Sequence, residues 1–172
     1  MDGQLVELAG RNWLTNQILL GGLEVARPER DRGIDLIAYT DIDKKLGRFV
    51  ACPIQMKAAT QTVFSLNPKY EKFPSLLLVY VWYLYDSAKT CCYALTYQEA
   101  FDLAFRVGWT KTDSWLTGGR NQRPGYSKTR VGRKLQELLS PFQMKPENWW
   151  SKITGEHRSS SHTSISTTET VK

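Results

Sequence analysis

The chain has 172 residues, the length of one ordinary domain, and its 41% hydrophobic and 12% aromatic content is enough for a packed core. A formal net charge of +6 permits a polyanionic partner, while no apolar run is long enough to cross a membrane as a helix, so no membrane partner is expected. Three cysteines (Cys52, Cys91 and Cys92) show no ligand spacing, which argues against a disulfide scaffold or a zinc site.

Residues 3–20 carry Leu5, Leu8, Ala9 and Trp13 at helical spacing and predict an amphipathic helix stopped by Gly21-Gly22. Leu23–Ala26 reads as a short strand, followed by a polar loop through Gly33. Ile34–Thr40 reads as a strand, Asp41–Gly47 as a hairpin connection and Arg48–Ala58 as the next strand. Pro53 demands that this strand be an edge or be bulged at that point. The stretch Thr60–Lys72 has no clear period. The apolar, β-branched and aromatic run 76–84 predicts a buried strand, and Thr90–Thr96 another. Thr96 then caps a helix over 97–107 that Gly108 ends, and a shorter helix at about 131–140 stops at Pro141. These elements make one mixed α/β domain over 1–156, with a Ser/Thr-rich tail at 157–172 that cannot build a core and is expected to be disordered.

Both histidines, His157 and His162, lie in that tail. The body therefore has no Ser-His or Cys-His nucleophile pair, no histidine base and no histidine-ligated metal. Its chemistry must come from carboxylates, lysine, arginine, tyrosine or amides. The N-terminus, Met1-Asp2-Gly3-Gln4, has neither the basic nor the apolar region of a secretion signal, so a cytoplasmic location is expected.

Asp35 opens one apolar run in Gly33-Ile34-Asp35-Leu36, and Ile54-Gln55-Met56-Lys57 closes another. Side chains two apart on a strand share a face, so Gln55 and Lys57 point the same way. If the two runs are neighbours, Asp35 meets them. One carboxylate and one amide oxygen then suit a hard divalent cation, Mg2+ or Mn2+, with an ammonium beside it to stabilise a phosphoryl transition state. Glu7, on the first helix, can complete the ligand set if that helix packs behind the strands. Glu29 and Asp31 are loop carboxylates that rank as substitutes. The plainer reading is a carboxylate at the start of a strand (Asp35), a solvated strand face (Gln55, Lys57) and a helix-surface acid (Glu7).

At these residues the chain resembles the PD-(D/E)XK, or restriction-endonuclease-like, nuclease superfamily. Its core order is α-β-β-β-α-β, with an acid opening the second strand, an acid-X-lysine triplet closing the third and a further glutamate often on the first helix. Gly33-Ile34-Asp35 matches the first element with Gly-Ile in place of the proline, Gln55-Met56-Lys57 the second with glutamine at the acid position, and Glu7 the helix glutamate. The Gln-X-Lys form is similar to that of some small homing endonucleases of group I introns. The resemblance covers about residues 1–95 and leaves about 96–156 as a C-terminal helical addition. It implies a mixed central sheet flanked by helices and a metal-dependent endonuclease acting on DNA, with RNA still open. Asp35, Gln55 and Glu7 would hold metal, and Lys57 would serve the transition state. It also makes a homo-oligomer plausible.

The positive surplus is local: Gly118–Gln136 holds Arg120, Arg123, Lys128, Arg130, Arg133 and Lys134 and no acid. Arg120, Arg123, Lys128 and Arg130 are the candidates for phosphate contacts, with Tyr126 as a base-stacking group or a packing residue of its own domain. Two other functions stay open: a nuclease-like protein that binds nucleic acid without cutting it, and a protein-interaction module in which the charge is incidental.

Overall fold

The computed structural model describes residues 2–30, 32–41, 47–119 and 123–156. Asp31, most of the expected hairpin connection and the 157–172 tail lie outside the described residues. Helix α1 (Gly3–Leu20) begins at Asp2, whose carboxylate accepts the Gln4 amide at 3.0 Å, and ends at Gly21 as its glycine pair predicts. Strands β1 (Glu24–Ala26), β2 (Leu36–Tyr39) and β3 (Ala51–Ala58) pair antiparallel in succession.

The chain then leaves this sheet through β4 (Val63–Leu66) and a short 3-10 turn (Pro68–Tyr70), and returns as β5 (Leu77–Trp82) parallel to β3. Next come β6 (Cys91–Leu95), α2 (Tyr97–Arg106), the single turn α3 (Asp113–Leu116), β7 (Tyr126–Thr129), α4 (Arg133–Leu139), β8 (Gln143–Met144) and α5 (Pro146–Thr154).

The main sheet is mixed and six-stranded, in the order β1-β2-β3-β5-β6-β8, with β3–β5 as its parallel pair. β4 and β7 form a small antiparallel sheet of their own. Pro53 is accommodated because the ladder to β5 starts at Ile54, one residue later, so the missing amide breaks no parallel bond. β5 is buried along its whole length, which explains its unbroken apolar sequence.

Two cores lie on opposite faces of the main sheet. One joins Ile54, Met56, Val79 and Val81 to Leu14 and Ile18 of α1 and to Trp149 and Trp150 of α5. The other joins Leu78, Tyr80 and Trp82 to Phe64 and Leu66 of β4, to α2 and to Leu135 and Leu139 of α4. Gln55 and Lys57 pair in register with Leu78 and Tyr80 and so belong to this second face.

The segment after residue 96 carries the helices α2 to α5, as expected of a helical addition, and also supplies β7 to the small sheet and β8 to the edge of the large one. One expectation changes. The resemblance puts a helix between β3 and its parallel neighbour, yet here β4 and the 3-10 turn take that path. The reason is local: Thr62, Phe64 and Leu66 are buried in strict alternation, the period of a strand, and Pro68 and Pro74 break any helix that follows.

Gly10 lets α1 lie against the end of β3, because a Cβ there would sit 2.5 Å from Ala58 Cβ. Gly10→Ala should therefore destabilise the fold by about 1 kcal/mol in urea unfolding, overpacking outweighing the helix-propensity gain of about 1 kcal/mol. An increase in stability would show that α1 is less closely seated.

Glu99, part of the Thr96 capping box, also accepts from Lys152 Nζ at 3.0 and 3.2 Å, which links α2 to α5. Burial pushes its carboxyl pKa upward, but the Thr96 amide and the Lys152 ammonium outweigh that and hold it below the ordinary value. The stability it contributes is complete above the unfolded pKa and is lost as pH falls through the lowered native one. Acid unfolding of wild type and Glu99→Gln should thus differ at neutral pH and converge at low pH.

Candidate functional site

β2 and β3 bring Asp35 and Gln55 together. The Asp35 amide donates to Ile54 O at 2.8 Å, which seats the residue beside β3. Its Oδ2 accepts from Gln55 Nε2 and from the Met56 amide, each at 2.6 Å. On the other side of the amide, Gln55 Oε1 accepts from the Tyr70 hydroxyl at 2.8 Å. Asp35, Gln55 and Tyr70 are all buried, whereas Lys57, two residues on, is exposed on the same face of β3.

Gln55 and Lys57 line one wall of an open cleft of about 350 Å³ between the two sheets. The other lining residues come from the 3-10 turn, from β7 and from the chain leading into each, and include Asn67, Lys69, Arg123 and Ser127. Asn67 organises the turn by accepting the Lys69 amide at 2.9 Å, with Pro68 at its first position. Gly125 keeps the basic segment close. Its φ is +149°, and a Cβ would meet Leu66 O at 3.0 Å, so no other residue fits without strain. Ser114 anchors the same point, accepting the Gly125 amide at 3.2 Å and donating its hydroxyl to Gly125 O at 2.9 Å.

The sequence candidates thus separate. Gln55, Lys57 and Arg123 line the cleft, and the buried Asp35 is joined to it through its hydrogen bond with Gln55. Tyr126 lines it too, but its ring stacks on Trp109 with centroids 3.8 Å apart, a packing role within its own domain. Arg130 is turned to Gln61, donating from Nε at 3.2 Å, and Lys128 lies with Lys134 at a separate hollow beside Trp109. Glu7 is half exposed and paired with Arg11, on a helix packed against the face of β3 opposite Gln55 and Lys57. Arg120 lies outside the described residues.

Tyr70 and Lys69 were missed from the sequence. The signal available was the alternation of basic and aromatic residues in Lys69-Tyr70-Glu71-Lys72-Phe73, in the stretch without a clear period.

The residue types suit a hard cation, since a carboxylate and a side-chain amide are neighbours and the amide lines a cleft open to water and phosphate. Among the described residues no third histidine, cysteine or acid joins them. Gln55 now turns its nitrogen to Asp35, so offering its oxygen there requires the amide to turn over. Tyr70 can follow that change, because a hydroxyl accepts as well as donates. The cysteines offer no competing nucleophile. Burial pushes Cys52 up to about 11 and raises Cys91 and Cys92 as well.

Asp35→Ala would strand two buried donors and should cost about 1–3 kcal/mol in chemical denaturation. Lys57→Ala, at an exposed position, should leave stability unchanged within about 0.5 kcal/mol. Equal losses in both would contradict this arrangement. No helix among the described residues is long and apolar enough to cross a membrane. Set against known proteins, the chain matches no family model, no curated protein and no solved structure.

Proposed function

We propose that the protein is a Mg2+-dependent DNA endonuclease related to the restriction-endonuclease-like nucleases. The observation that carries this reading is the joining of the Asp35–Gln55 pair, with Lys57 two residues on, to a cleft whose other lining residues include Lys69 and Arg123. Asp35 and Gln55 would hold the cation. A divalent cation there would supply positive charge for the scissile phosphate and make a bound water more acidic than bulk water.

The chain's own residues do the rest. Lys57 places an ammonium where negative charge grows on the non-bridging oxygens during attack. Lys69 and Arg123 hold the flanking backbone phosphates, with the salt dependence that such contacts bring. The Met56 amide holds the Asp35 carboxylate and Tyr70 holds Gln55, so the reordering needed is the turning over of the Gln55 amide. Hydrolysis adds water across one P–O bond, leaving a phosphate monoester and a free hydroxyl. The lack of histidine in residues 1–156 is consistent with a base drawn from water rather than from a side chain.

A binding-only reading has one observation in its favour: Gln55 occupies the place of a second acid and gives its nitrogen to Asp35. Plasmid nicking separates the two. With Mg2+ or Mn2+ the wild type should nick supercoiled DNA, EDTA should stop it, and Asp35→Asn and Lys57→Ala should each lower the rate by about 100-fold or more. Gln55→Glu, which restores a second carboxylate, should keep cutting and lower the Mg2+ concentration required. DNA retention without metal-dependent cutting of supercoiled, single-stranded or branched forms would establish the binding-only alternative. Parallel RNA substrates decide the nucleic acid.

A further inference from the structure

A second pocket, of about 330 Å³, opens on the other side of Tyr70. Ile34, Pro53, Phe73 and Leu76 make its apolar floor and wall, and Arg32, Lys69 and Lys72 stand at it as cations. No acid is among its lining residues. Lys69 and Tyr70 belong to this pocket and to the Gln55–Lys57 cleft alike, so the two are contiguous.

The chemistry of the lining restricts the occupant. A charged or strongly polar group would lose hydration against Ile34, Pro53 and Leu76 without compensation. A flat, uncharged group tethered to an anion satisfies both parts, the ring against the apolar wall and the anion on the cations. Lys72 Nζ lies 5.7 Å from the Phe73 ring centroid and Lys69 Nζ 4.7 Å from that of Tyr70, so aromatic and cationic surfaces are already interleaved. The volume is at the small end of the range of roughly 300–1,000 Å³ for ligand sites, suited to one ring system rather than to a stretch of duplex.

We infer that this pocket receives an unstacked nucleobase from the strand whose phosphate lies at Asp35, Gln55 and Lys57. The inference rests on the nucleic-acid reading of that cleft. A base can enter only when it is out of its stack, so the protein favours single-stranded, frayed or branched DNA at the cutting position. Phe73 is the stacking platform. It is 49% exposed, is held by its amide bond to Tyr70 O at 3.0 Å, and accepts the Leu76 amide at 3.1 Å.

The test is equilibrium binding in EDTA, where no cutting can intervene. Full-length protein is titrated against a fluorescently labelled single-stranded oligothymidylate and against the same strand in duplex. Wild type should prefer the single strand. Phe73→Ala should weaken the single strand about tenfold, the loss expected of one stacked base, and the duplex by less than about twofold. Phe73→Trp should restore the preference. Because Phe73 is half exposed, its variants should melt with wild type, which is checked by circular dichroism.

Equal weakening of both DNA forms, or none, overturns the pocket while leaving the nuclease reading intact. Binding to neither form removes the nucleic-acid reading and the pocket with it. Binding to anionic phospholipid vesicles that is lost in Phe73→Ala would assign the pocket to an acyl chain instead. Base-dependent binding with no metal-dependent nicking would keep the pocket and remove the nuclease.

Discussion

The cleft depends on two polar tips carried by β5. The Tyr80 hydroxyl donates to Ser65 O at 2.6 Å, and Trp82 Nε1 donates to Val63 O at 2.7 Å. Both rings are almost fully buried, so each donor needs a partner at that depth, and β4 supplies one at either residue. Burial also raises the Tyr80 pKa, which keeps the hydroxyl a donor. Phe64 completes the joint, stacked on Tyr80 with centroids 4.7 Å apart and tilted on Trp109 at 5.5 Å. The small sheet is thereby fixed over the large one, and its distance from β3 is the width of the cleft.

That joint brings distant charges to one place. Lys57 comes from β3, Lys69 from the 3-10 turn and Arg123 from the approach to β7, and all three line the same cleft. A concave surface with low-dielectric walls and one sign of charge concentrates an anionic strand more effectively than the same cations spread apart. Beneath them Asp35 is buried but accepts two N–H donors, which is how a carboxylate is tolerated at that depth. A neutral amide beside it also avoids the repulsion of two carboxylates sharing one site when no cation is present.

Much of the fold was legible where the signal was local. The helix at 3–20 and its glycine stop, the Thr96 capping box and the buried strand within 76–84 all follow from spacing and caps. Thr62-Val63-Phe64-Ser65-Leu66 alternates as a strand should, but it is short, and its partner lies some sixty residues away in the basic segment 118–136. Tyr126–Thr129 becomes a strand only because β4 is there to pair with it; its own sequence is polar and exposed. Propensity could not reveal either half alone.

The site divides along the same line. The sequence by itself determined that Gln55 and Lys57 share a face, because strand geometry has a period of two whatever surrounds it. It also determined, through the absence of histidine from residues 1–156, which side chains any chemistry in the body must use. Only the tertiary structure decided that Asp35 meets Gln55, that Tyr70 closes the other side of that amide, and that Arg123 lines the same cleft as Gln55 while Glu7 sits on a helix behind the sheet. Those placements come from the register of β2 on β3 and from the docking of one sheet over another. Both are set by side-chain packing between segments far apart in the chain, and no local pattern encodes it.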